Sequence, residues 1–66
     1  MLSQTVGANV RKYRLRRGLS QEHLAFAANL CVTTIGKIER GIANPTIDVL
    51  ESIAKALRVP ASWLFE

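Results

Sequence analysis

Sixty-six residues carry a formal charge of +4, from nine Lys or Arg against five acids, with 48% apolar content. A chain of this length buries only about 60% of its unfolded surface, which bounds it to one domain, residues 1–66, of modest stability. No run of ~20 apolar residues exists to span a membrane, and a single cysteine, Cys31, excludes an internal disulfide.

The N-terminus, MLSQTVGANVRK, has no apolar stretch ahead of a cleavage site, so no signal peptide is read and the expected location is the reducing cytoplasm. A first helix is expected from about Ser3 to Arg17. Val6, Val10 and Tyr13 recur there at helical steps, and Gly18 ends it. Ser20 is an N-cap residue for a second helix, Gln21 to Ala28, with Leu24, Ala25 and Ala28 on one stripe and Asn29 as its stop. A third helix is expected from Val32 to Arg40, closing at Gly41. Ile35 and Ile38 turn inward, while Thr33, Thr34 and Lys37 face outward. Ile42-Ala43-Asn44-Pro45 is a loop, because the residue before proline avoids the helical region. Thr46 then caps a fourth helix, Ile47 to Leu57, whose expected buried stripe is Ile47, Leu50, Ile53, Ala54 and Leu57. A short fifth helix around Pro60 holds Trp63, Leu64 and Phe65. No window alternates with period two, so the fold class is all-α, with five helices.

Val6, Val10, Tyr13, Leu19, Leu24, Leu30, Ile35, Ile38, Leu50, Ile53, Leu57 and Leu64 make one small core. Leu15, Phe26, Ile42, Val49, Trp63 and Phe65 are left over, a large set for so small a surface, which points to a partner. The C-terminal pair Trp63 and Phe65 is the candidate dimer seam. Five of the nine cations cluster as Arg11, Lys12, Arg14, Arg16 and Arg17. Such a cluster attracts polyanions, nucleic acid above all, or is simply a solvated helix face. Two short helices joined by a tight bend, the second with a polar outer face, form a helix-turn-helix layout.

The motifs SQExLA, then I-x-x-I-E-R-G, then N-P-T-x-x-x-L-x-x-I-A-x-A-L carry a family resemblance. From about Val6 to Phe65 the chain resembles the helix-turn-helix domain of phage lambda-type repressors, the Xre-like regulators. LSQEHLAFAANL and IERG look closest to the controller proteins of restriction–modification systems. The resemblance implies a compact five-helix DNA-binding domain with its helix-turn-helix in helices 2 and 3. It implies that Val32, Thr33, Thr34 and Lys37 meet base edges, and that Ser20, Gln21, Arg40 and Asn44 grip the DNA backbone. Gln21 would also touch a reading side chain. Arg14 and Glu39 would pair to lock the first helix to the third. Lys37 can donate to guanine and Thr33 to several bases, whereas Val32 either packs on a thymine methyl or fills the turn.

Three residues depart from the family pattern. Asn29 stands where glycine is common, and Cys31 stands where Ser caps the recognition helix. A sulfur caps weakly, so this helix start should be less well held. Cys31 is either a small half-buried residue or, as a thiolate, a redox sensor. Gly36 lies inside the third helix at a cost of ~1 kcal/mol relative to Ala, which close approach to DNA would explain. Controller proteins also tend to carry arginines where this chain has Val32 and Ala43, so its operator should differ from theirs.

Enzyme chemistry finds no support. His23, on the exposed side of the second helix, has no second ligand to complete a zinc set with Cys31, and no nucleophile triad or phosphate loop exists. No metal or cofactor is expected. The expectation is a homodimeric, sequence-specific regulator of double-stranded DNA. An antitoxin that binds a toxin and its own promoter is the alternative.

Overall fold

The computed structural model describes residues 2–66. Its elements are α1 (Leu2–Arg16), α2 (Gln21–Ala28), α3 (Val32–Glu39), α4 (Ile47–Leu57) and a C-terminal 3-10 helix, Ala61–Phe65. No strand occurs among the described residues. The all-α expectation holds, but the fifth helix is a correction. The segment is a five-residue 3-10 helix, and Pro60 sits at its cap rather than inside it. So short a segment gains its single turn from packing Leu64, and tight i→i+3 turns serve such connections.

All four α-helices end the same way. Leu19 N–H bonds to Arg14 C=O at 3.1 Å and Gly18 N–H to Leu15 C=O at 3.0 Å. The same paired bonds recur at Asn29–Leu30, Gly41–Ile42 and Arg58–Val59. This is the Schellman stop, which needs a left-handed residue after the helix. Gly18 and Gly41 supply it at φ 70° and 75°, and Asn29 and Arg58 adopt it at φ 59° despite their side chains. Asn29 therefore does the work of the glycine it replaces. The starts differ. Ser20 Oγ accepts from His23 N–H at 3.0 Å and Thr46 Oγ1 from Val49 N–H at 3.2 Å. Cys31 makes no side-chain cap bond to α3.

The core gathers Val6 and Val10 of α1, Leu24 of α2, Ile35 and Ile38 of α3, Leu50, Ile53 and Leu57 of α4, and Leu64. Tyr13, Leu19 and Leu30 are half-buried around it, as is Val49. Ile47 is a correction: at the first position of α4 it stands 65% exposed, while Val49 and Leu50 of the same turn pack on the core in its stead. Leu15, Ile42 and Phe26 are exposed as the core count left them, Phe26 at 89%.

α1 packs on α3, on the 3-10 helix and on α4. Two contacts fix it. Gly7 is buried where α1 crosses α3, with the Glu39 carbonyl oxygen 3.0 Å from where a Cβ would stand. Asn9, also buried, donates from Nδ2 to the Leu64 carbonyl at 2.9 Å and ties down the C-terminal turn.

Candidate nucleic-acid interface

α2 and α3 join through Asn29, Leu30 and Cys31, and the left-handed Asn29 turns the chain. Leu24, Ala25 and Ala28 bury one side of α2, and Ile35 and Ile38 bury the matching side of α3. The residues between them in sequence must then point outward. Val32, Thr33 and Lys37 are exposed and Thr34 is half-buried at the edge of the same face. Val32, at 42% exposure, is not used to fill the turn.

A buried ionic network sets how α3 sits on the scaffold. Arg14 Nε donates to Glu39 Oε2 at 2.6 Å and Nη2 to Glu39 Oε1 at 3.0 Å, a two-pronged pair. Arg14 Nη1 also donates to the Leu19 carbonyl at 2.9 Å. Gln21 Nε2 completes the set on Glu39 Oε1 at 3.1 Å. Planar guanidinium and carboxylate match in such a fork, which fixes orientation as well as distance. The hydrogen bond that Arg14 donates to Glu39 holds its guanidinium above its ordinary value, against the opposing effect of burial. Among the described residues no buried side-chain polar atom lacks a partner.

Gln21 spends its amide nitrogen on Glu39. Its Oε1 faces Gly36, lying 3.9 Å from where a Cβ there would stand; Arg40 Nη1 is 3.3 Å from the same point. Arg40 caps the end of α3 and is exposed, as are Ser20 and His23 at the start of α2. Thr34, Lys37, Asn44 and Thr46 line one shallow hollow of about 290 Å³ between α3 and the loop that follows it.

The basic cluster of α1 divides. Arg14 is consumed by Glu39. Lys12 Nζ lies 4.8 Å and the Arg16 guanidinium carbon 5.6 Å from the centre of the Tyr13 ring. Tyr13 in turn meets Trp63 with ring centres 5.7 Å apart. Two of the cations therefore frame the Tyr13–Trp63 pair, and Trp63 and Phe65 are both exposed. Sequence reasoning missed Gly7 and Asn9. A polar residue at position 9, one helical turn after Val6 and beside Val10, was the available signal for Asn9. Gly7 had only its place inside a helix, where glycine is costly without a packing reason.

Two short helices at a tight bend, the second seated by a buried ion pair and polar on its outside, define a helix-turn-helix protein. Comparison with known proteins agrees: the family profile described as helix-turn-helix (HTH_3) matches residues 10–64. The control protein C.BamHI of Bacillus amyloliquefaciens is 48% identical over 61 residues, covering 91% of this chain and 75% of that one. The immunity repressor protein of Bacillus phage phi105 is 40% identical over 58 residues, 88% of this chain but 40% of its own length. The chain thus spans well under half of that repressor. Among solved structures, the restriction-modification controller protein C.AhdI of Aeromonas hydrophila superimposes with a TM-score of 0.93 at 35% identity, over 96% of both chains. The chain belongs to the helix-turn-helix (HTH_3) family of DNA-binding transcriptional regulators. Its likeness to restriction–modification controllers, drawn above from LSQEHLAFAANL and IERG, is borne out.

Proposed function

We propose that the protein is a cytoplasmic, sequence-specific regulator that seats α3 in the DNA major groove and works as a homodimer on a near-palindromic operator. The observation that carries this reading is the outer face of α3, aimed by the Arg14–Glu39–Gln21 network while Val32, Thr33 and Lys37 stay exposed. A helix held at two carboxylate oxygens presents its side chains in one orientation, which base recognition requires.

Each residue takes a role from its chemistry. Lys37 donates to guanine, Thr33 and Thr34 hydrogen-bond to base edges, and Val32 packs on a thymine methyl. Arg40, Asn44, Gln21 and the cap at Ser20 hold the sugar–phosphate backbone, which positions without reading. The dimer meets at Trp63 and Phe65, whose exposure beside Tyr13 leaves an aromatic surface for a second copy. One α3 reads too few bases alone, so a second copy supplies the remaining affinity and spaces the half-sites about one helical turn apart.

Selection on random DNA followed by binding of two variants tests the reading. Lys37→Ala should weaken the selected duplex more than a random one, and Arg40→Ala should weaken both alike. Wild-type affinity should fall with salt at ~0.9 per neutralised phosphate on a log–log plot. A flat salt response removes DNA binding from the reading, and equal losses for Lys37→Ala on both duplexes remove Lys37 as a reader.

A further inference from the structure

We infer that Gly36 is a positioning residue: its missing side chain opens a notch in α3 that lets Arg40 lie back along the helix toward Gln21. Positions 36 and 40 are one turn apart on the same face. A long side chain on a helix leans toward the N-terminus, over the residue four before it. Arg40 does so here. Its Nη1 stands 3.3 Å from the position a Gly36 Cβ would take, tighter than an ordinary contact. Gln21 closes the notch from α2, with its Oε1 3.9 Å from that position. Gln21 cannot swing freely, because its Nε2 is spent on Glu39 at 3.1 Å. Gly36 is buried, and the atoms nearest to where its side chain would stand belong to these two polar side chains.

The helix propensity that glycine gives up in a helix interior is thereby tied to one cation. An arginine held back along α3 stands at the α2–α3 seam, where both elements meet the DNA backbone in the reading above. Holding it there in advance leaves less side-chain freedom to be lost on binding. The inference rests on the reading of Arg40 as a backbone contact. It differs from the sequence expectation that Gly36 clears space for DNA itself.

A double-mutant cycle separates these. Gly36→Ala, Gly36→Leu, Arg40→Ala and the double variant Gly36→Leu/Arg40→Ala are titrated onto one selected duplex across a salt series. Thermal melts run alongside. Both substitutions at 36 are better helix formers than glycine, so melting temperatures should hold or rise. Gly36→Leu fills the notch and should lower the salt slope by ~0.9, as Arg40→Ala does. The double variant should bind no worse than Arg40→Ala alone. Gly36→Ala, which asks the flexible end of Arg40 to give by a few tenths of an ångström, should bind nearly as wild type. A full Gly36→Leu loss persisting in the Arg40→Ala background overturns the inference, because the leucine then strikes the DNA. An unchanged slope for Gly36→Leu beside a lowered one for Arg40→Ala overturns it alone. An unchanged slope for Arg40→Ala overturns the backbone reading and the inference together.

Discussion

Gly7 of α1 meets the backbone of Ile38 in α3 with nothing between them: a Cβ on Gly7 would collide with the Ile38 carbonyl oxygen. The obstacle is main chain inside a hydrogen-bonded helix, so neither side can turn aside. Gly7→Ala would gain ~1 kcal/mol of helix propensity, yet overpacking of this kind costs ~1–3 kcal/mol and more where nothing relaxes. We expect a net loss of up to about 2 kcal/mol in chemical denaturation. Wild-type stability in Gly7→Ala would mean that α1 and α3 do not cross this closely.

Arg14 and Glu39 should behave as a unit. Their side chains are 10% and 4% exposed. Removing one charge leaves the other buried and alone, at a cost of ~3–5 kcal/mol, while replacing both with apolar residues of similar volume is often nearly neutral. Glu39→Ala should therefore lose more stability than the double change Arg14→Met/Glu39→Leu. The Arg14 pKa is raised by its bond to Glu39. A raised value means that the arginine's contribution is fully present below its ordinary titration range and lost only as pH climbs through the higher folded one. Urea midpoints measured across mildly alkaline pH should show no decline traceable to this pair.

Asn9 should hold the C-terminal turn. Its amide bond to the Leu64 carbonyl is buried. Asn9→Ala leaves that carbonyl unpaired at a cost of ~1–3 kcal/mol. Trp63 is the chain's one tryptophan, so its fluorescence reports the turn directly. A red shift is expected in Asn9→Ala, with a weaker dimer by sedimentation. A wild-type spectrum at full helical content would show the turn is held by Leu64 alone.

Cys31→Ser should stabilise. The wild-type thiol makes no cap bond to α3, and its backbone already has the extended shape of a cap residue, with φ −78° and ψ 146°. A serine hydroxyl in the same place gains about 0.5–1 kcal/mol. An unchanged or lower melting temperature would indicate that the thiol is better placed than its bonding implies.

The legible part of this fold was the part written in periodicity and in punctuation. Leu24, Ile35, Ile38 and Leu50 repeat at helical steps, and Ser20, Asn29, Gly41 and Thr46 mark where helices start and stop. The exposed set on α3 followed once the inward set was known. What stayed hidden depends on which elements lie against each other. Ile47 continues its stripe and is exposed all the same, although Val49 and Leu50 of the same turn are packed on the core. Arg58 takes a left-handed turn that its residue type does not announce. Lys12 and Arg16 read as polyanion charges, but the fold lays them over Tyr13. Gly7 and Gly36 look alike in sequence, yet one is crowded by main chain and the other by a movable arginine.

α1 is clamped at both faces, to α3 through Gly7 and Arg14 and to the C-terminal turn through Asn9 and Tyr13. In the proposed dimer, docked at Trp63 and Phe65, this helix would act as a ruler. The separation of the two reading helices is then a length written into α1. An operator with one base pair too many would be refused by geometry, before any base is examined.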